Sequence, residues 1–221
     1  MKIVYQVYQL IQKKLMKKEE KEEEPIKIIL LGESGVGKTN LIYAFIGHKG
    51  HEDSPSTVTS SSIEGKIDYD DNKSYKYCMW DTAGQEKFRS INKIFFRDAK
   101  IILIVYAIDN RNSFDNTEFW INYVKENITE DKYTIALIAN KSDLYENQMV
   151  MEEEAKEAAE KFGIDFFTTS AKQDANGFRK YVNGLIKEYI RKYLVKENEN
   201  EKDKKKNLKI KKRKKNRNRF C

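Results

Sequence analysis

Gly32-Glu33-Ser34-Gly35-Val36-Gly37-Lys38-Thr39 fits the phosphate-loop pattern GxxxxGK[ST], and it directly follows the apolar run Ile26-Lys27-Ile28-Ile29-Leu30-Leu31. Strand, glycine-rich turn, then an apolar helix over 38–46 is the context in which that pattern has physical content. The glycines let successive N–H groups, from Ser34 through Gly35, Val36 and Gly37 to Asn40, turn toward phosphate oxygens. The helix that starts near Lys38 adds the positive end of its dipole. Lys38 is placed to reach β- and γ-phosphates, and the Thr39 hydroxyl to sit on Mg²⁺. These residues predict a site for a nucleoside triphosphate. They leave the base and the reaction open, because ATPases, kinases and GTPases share the loop.

Three further segments narrow the choice. Trp80-Asp81-Thr82-Ala83-Gly84-Gln85-Glu86 closes a strand over 75–80. Asp81 at the strand end can hold Mg²⁺ through water, the Gly84 N–H can register the γ-phosphate, and Gln85 can orient an attacking water. Taken one at a time, such residues are more often turn or surface residues. In one strand–loop unit behind a phosphate loop they gain a common purpose. Asn140-Lys141-Ser142-Asp143 follows an apolar strand over 134–139. The Asp143 carboxylate can accept from the N1–H and N2–H₂ edge of guanine, a donor pair adenine lacks, and a buried carboxylate left unpaired rejects the wrong base strongly. Asn140 is expected to tie this loop to the phosphate loop, and the Lys141 stem to cover a face of the base. Thr169-Ser170-Ala171-Lys172 follows a short strand over 164–168. There the Ala171 N–H can donate to guanine O6, which predicts GTP and GDP as ligands.

With these residues in order, the chain from about Ile26 to Tyr193 resembles the Ras superfamily of small GTPases, and within it the Rab family. The resemblance rests on WDTAGQEKFRSI (80–91), FFRDA (95–99), NKSDL (140–144) and FFTTSAK (166–172). It implies a three-layer α/β phosphate-loop NTPase fold, with a six-stranded, mostly parallel sheet flanked by helices. It also implies a monomeric GTP hydrolase with Mg²⁺, served by an exchange factor and a GTPase-activating protein, that recruits effectors to a membrane in the GTP state. Alternation of strands (26–31, 63–69, 75–80, 101–106, 134–139, 164–168) with helices (38–46, 86–97, 113–127, 151–162, 175–193) agrees, with ligands expected at the strands' carboxyl ends. The two other readings are a guanine-nucleotide-binding pseudo-GTPase and a Ran-like nuclear transport switch.

The chain divides into an extension over 1–25, a GTPase domain over 26–195 and a tail over 196–221. Its 221 residues suffice for one sizeable core. The tail holds 13 Lys/Arg against 4 acids, whereas the domain is slightly acidic. Its composition predicts disorder until it meets an anionic surface, and a membrane leaflet fits best, at about 1 kcal/mol per basic residue. Lys211-Lys212-Arg213-Lys214-Lys215 is also compatible with nuclear import or phosphate-backbone contact, but no aromatic residues interleave to stack on bases. No specific nucleic acid is therefore expected. Two cysteines, 78 and 221, build no disulfide framework, which points to the cytosol, and no run is long enough to span a membrane. His48 and His51 read as solvated loop residues.

The resemblance also exposes departures. Rab chains end in paired cysteines or Cys-x-Cys; this one ends in Cys221 alone, so a single prenyl group plus the polybasic run would supply two membrane signals. The Mg²⁺-binding threonine of the first switch is expected at Thr57, with Thr59 its neighbour. Ser62 stands where Rabs carry a Phe of the effector-facing aromatic triad, whose other positions are Trp80 and Phe95. Gly50 stands where Rabs place an aromatic residue against guanine, which predicts faster nucleotide release. Ala107 stands where relatives carry Asp. Ahead of the domain, Ile3, Val4, Val7, Leu10, Ile11 and Leu15 recur at helical spacing before the charged run 17–24.

Overall fold

The structure is a computed structural model that describes residues 24–47, 61–71, 73–82, 96–128 and 131–195. Among them run β1 (Ile26–Leu31), α1 (Lys38–Ile46), β2 (Ser61–Asp70), β3 (Lys73–Asp81), β4 (Ala99–Ala107), α2 (Arg111–Asp115), α3 (Thr117–Asn127), β5 (Thr134–Asn140), α4 (Glu152–Phe162), β6 (Asp165–Thr168) and α5 (Ala175–Tyr189). The six strands form one sheet in the order β2-β3-β1-β4-β5-β6. Only the β2–β3 pair is antiparallel; the other four pairings are parallel. β1 and β4 are near-continuous apolar runs because both of their faces are covered, with Ile28 through Leu31 and Ile101 through Tyr106 fully buried.

The covering comes from two sides. Phe178, Val182, Leu185, Ile186 and Tyr189 make one stripe along α5, and they pack with Leu41 and Phe45 of α1 against one face. On the other face Phe114 of α2, Trp120, Ile121 and Val124 of α3 and Ala155 and Ala159 of α4 close the second core. β1 lies between β3 and β4, so the chain turns to opposite sides of the loop that follows it, the place where open α/β sheets bind ligands. Register does the rest. Leu30 pairs with Asp81, Ala107 with Asn140 and Ala139 with Thr168, which brings the ends of β1, β3, β5 and β6 to one rim.

Several boundaries differ from the sequence reading. β2 and β3 extend two residues further at their starts, because antiparallel pairing carries the ladder outward from the apolar centre. The single helix expected over 113–127 is two helices meeting at Asn116, and it begins earlier, where the Asn110 side chain accepts from Ser113 N at 3.0 Å. The final helix leaves α geometry at Ile190 for a π-type turn through Val195, and Ser142–Asn147, where the sequence predicts no helix, forms 3₁₀ turns on either side of a kink at Leu144. The helix expected over 86–97 falls mostly outside the described residues; residues 96–98 form a turn into β4. The extension (1–23), His48, Gly50, His51, Thr57, Thr59, Phe95 and the tail also lie outside. Cys78 is a free thiol buried in β3, and among the described residues no helix is long and apolar enough to cross a membrane.

Candidate functional site

The loop between β1 and α1 curls around Lys38. Its ammonium donates to the carbonyls of Gly32 at 2.6 Å and Glu33 at 2.8 Å, and the side chain is buried. Gly37 caps α1 with φ +93°, and no acidic residue sits in the helix's first turn to offset its positive end. A Cβ at Gly35, whose φ is +77°, would meet nothing within 4 Å, whereas a Cβ at Gly37 would lie 2.4 Å from Asn140 Nδ2. Ser34 and Val36 sit in this loop, and Asn40 lies in the first turn of α1. An open curl of backbone amides with one enclosed ammonium is chemically matched to a polyphosphate.

Beside the loop, Thr39 Oγ1 donates to Asp81 Oδ2 at 2.6 Å. Asp81 is buried, and its neighbour Thr82 fastens the end of β3 to β1 by donating to Leu30 O at 2.5 Å. A hydroxyl and a carboxylate, both hard oxygen donors beside a phosphate cradle, suit Mg²⁺, which takes few protein ligands and completes its shell with water and phosphate. Among the described residues no group of three or more His, Cys, Asp or Glu offers an all-protein metal site.

The second half of the rim is built by Asn140, Lys141, Asp143, Ser170, Ala171 and Lys172. Asn140 is buried and both ends of its amide are engaged: Nδ2 donates to Val36 O at 2.7 Å and Oδ1 accepts from Ala171 N at 3.1 Å. It thus joins the phosphate loop to the loop after β6. Lys141 takes a left-handed backbone, φ 64° and ψ 36°, and its ammonium lies 3.4 Å from Asp109. The Ser170 hydroxyl donates to Asp143 Oδ1 at 2.5 Å and accepts from Lys172 N and Gln173 N at 3.2 and 3.0 Å. With its lone pairs filled by two amides, the hydroxyl directs its proton at Asp143 and fixes the carboxylate.

Of the expected site residues, the structure brings together 34–40, Asp81, Asn140, Lys141, Asp143, Ser170, Ala171 and Lys172. Thr57, Gly84, Gln85 and Cys221 lie outside the described residues. The sequence reading missed Asp109, which pairs with Lys141, and Thr82, which it quoted without a role. A polar residue just past the end of β4 was the available signal for Asp109. Ser62, where an aromatic anchor was expected, is exposed and paired across the ladder with Trp80, over whose ring Lys27 Nζ stands at 5.0 Å.

Comparison with known proteins follows the same residues. The sequence model described as Ras family matches residues 27–191. The Ras-related protein Rab-2B of Dictyostelium discoideum is 40% identical over 169 residues, covering 75% of this chain and 83% of that protein. Rab-11B of the same organism is 43% identical over 161 residues, covering 72% of this chain and 71% of its own length. The GTP-binding protein ypt2 of Schizosaccharomyces pombe is 39% identical over 155 residues, 68% of this chain and 74% of the relative.

Proposed function

The chain belongs to the Ras family, among its Rab-type small GTPases, and from that membership we propose how its own residues run a guanine-nucleotide switch. It binds guanine nucleotide and hydrolyses GTP. The phosphate-loop amides and Lys38 hold the phosphates and stabilise the charge that develops on them. Asp143 accepts from the guanine N1 and N2 donors, the Lys141 stem covers the ring, and the Ala171 N–H, which donates to Asn140 Oδ1 at 3.1 Å, shares its hydrogen with O6 when the base is bound. Thr39, Thr57 and Asp81 (through water) are the proposed holders of Mg²⁺, which when bound neutralises charge on the β- and γ-phosphate oxygens. Gln85 orients the attacking water, and the Gly84 N–H senses the γ-phosphate. Intrinsic turnover on the order of 10⁻⁴ s⁻¹, raised by an activating protein, is expected of such a site without an arginine supplied in cis.

The working place we propose is the cytoplasmic face of an endomembrane in vesicle traffic, with the GTPase domain over 26–195 acting as a monomer. The basic tail over 196–221 adheres to anionic lipid, and Cys221 carries a prenyl group.

The observation that carries the nucleotide reading is the Asn140 bridge between Val36 O and Ala171 N. A phosphate-binding loop and a base-reading loop are thereby parts of one pocket. The test is competition on protein stripped of ligand. GTP and GDP should displace a fluorescent guanine nucleotide at least about a thousandfold better than ATP; equal displacement by ATP would end this reading.

A further inference from the structure

At the far end of α1, Arg179 of the neighbouring α5 donates from Nε to Phe45 O at 2.8 Å and from an Nη to Ala44 O at 3.2 Å. These carbonyls belong to the last turn of α1, whose orphan acceptors form the negative end of the helix dipole. No basic residue of α1 lies in that turn, so α5 supplies the guanidinium there. Gly47, which ends α1 with φ +84°, leaves room for it: a Cβ would come within 2.6 Å of the Arg179 Nη.

Followed through, the contact closes a ring. α1 starts at the phosphate loop; Val36 of that loop accepts from Asn140; Asn140 accepts from Ala171 N. The next loop runs into α5, where Asp174 N donates to Ser170 O at 2.7 Å and the Asp174 carboxylate caps the helix through Gly177 N at 3.1 Å. Arg179, one turn further on, returns to α1. The two halves of the pocket are thus joined twice, directly by Asn140 and behind the site by Arg179.

We infer that Arg179 is a positioning residue for nucleotide retention: by clamping the C-terminal turn of α1 to α5 it holds the phosphate half of the pocket in register with the guanine half. The inference rests on the guanine-nucleotide reading above. Losing the clamp lets α1 tilt with the phosphate loop at its other end, and the bound nucleotide leaves faster, while the residues proposed to touch it are unchanged.

Release of fluorescent GDP from the full chain, followed by stopped flow beside thermal unfolding, tests this. Arg179→Ala should speed release about fivefold, the loss of one charge–dipole contact. Arg179→Lys, able to reach one carbonyl, should recover part of the effect. Val124→Ala, a cavity under the opposite sheet face, serves as a control for lost stability. Unchanged release in Arg179→Ala, or equal acceleration in Val124→Ala, overturns the inference alone. A wild type that retains no guanine nucleotide overturns the reading beneath it as well.

Discussion

Both polar atoms of the Asn140 amide are committed inside the protein, to partners that lie 104 residues before it and 31 residues after it. Removing the amide strands a buried carbonyl and an N–H at once, so Asn140→Ala is expected to weaken GDP binding by about 2–3 kcal/mol, roughly 50-fold, measured by titration. Gln85→Leu acts on a different step: GTP binding should stay near wild type while single-turnover hydrolysis falls by about 100-fold or more. An acceleration would contradict the water-positioning role. The Asn140 tie was readable from sequence because the motif keeps the donor, the strand before it and the phosphate loop in fixed relation. The Asp109–Lys141 and Arg179–α1 contacts were not. Each joins residues whose separation has no local pattern, and a lone charged side chain is ordinarily just solvated.

At the level of elements, periodicity located β1, α1, β5 and α4 to within a residue, since each has an uninterrupted apolar pattern with a sharp stop. It failed where short elements follow one another. The Asn110 side chain starts a first helix ahead of the expected one, the two helices meet at Asn116, and Ser142 to Asn147 form 3₁₀ turns kinked at Leu144 after the left-handed Lys141. Capping also gives a direct stability test. Asp174 accepts the Gly177 N–H at the start of α5, so Asp174→Ala should cost about 1 kcal/mol. A Tm lower by about 2–4 °C in a thermal melt is the expected reading, and an unchanged Tm would show the cap to be dispensable.

Across the whole molecule, ligand and fold share one free energy, because only the folded chain assembles the pocket. GDP at about a thousand times its Kd should add about 4 kcal/mol and raise Tm by roughly 8–16 °C. Stripping Mg²⁺ with EDTA should remove part of that gain, whereas equal melting curves with and without GDP would contradict the shared pocket. The tail makes a separate prediction: unlipidated full-length protein should bind phosphatidylserine vesicles at low salt and leave them as salt rises, and a chain ending at Val195 should not bind. Strand alternation made the α/β class legible in advance. The sheet order was not, since nothing local in β1 shows that its neighbours are β3 and β4. That order also governs how the protein is born. Asn140 follows Val36 by 104 positions, which take roughly ten seconds to synthesise. β3 and β4 join β1 within that interval, whereas the phosphate loop waits for Asn140 until its end, so the nascent chain cannot close the base-reading half of its pocket onto a nucleotide before β5 has been made.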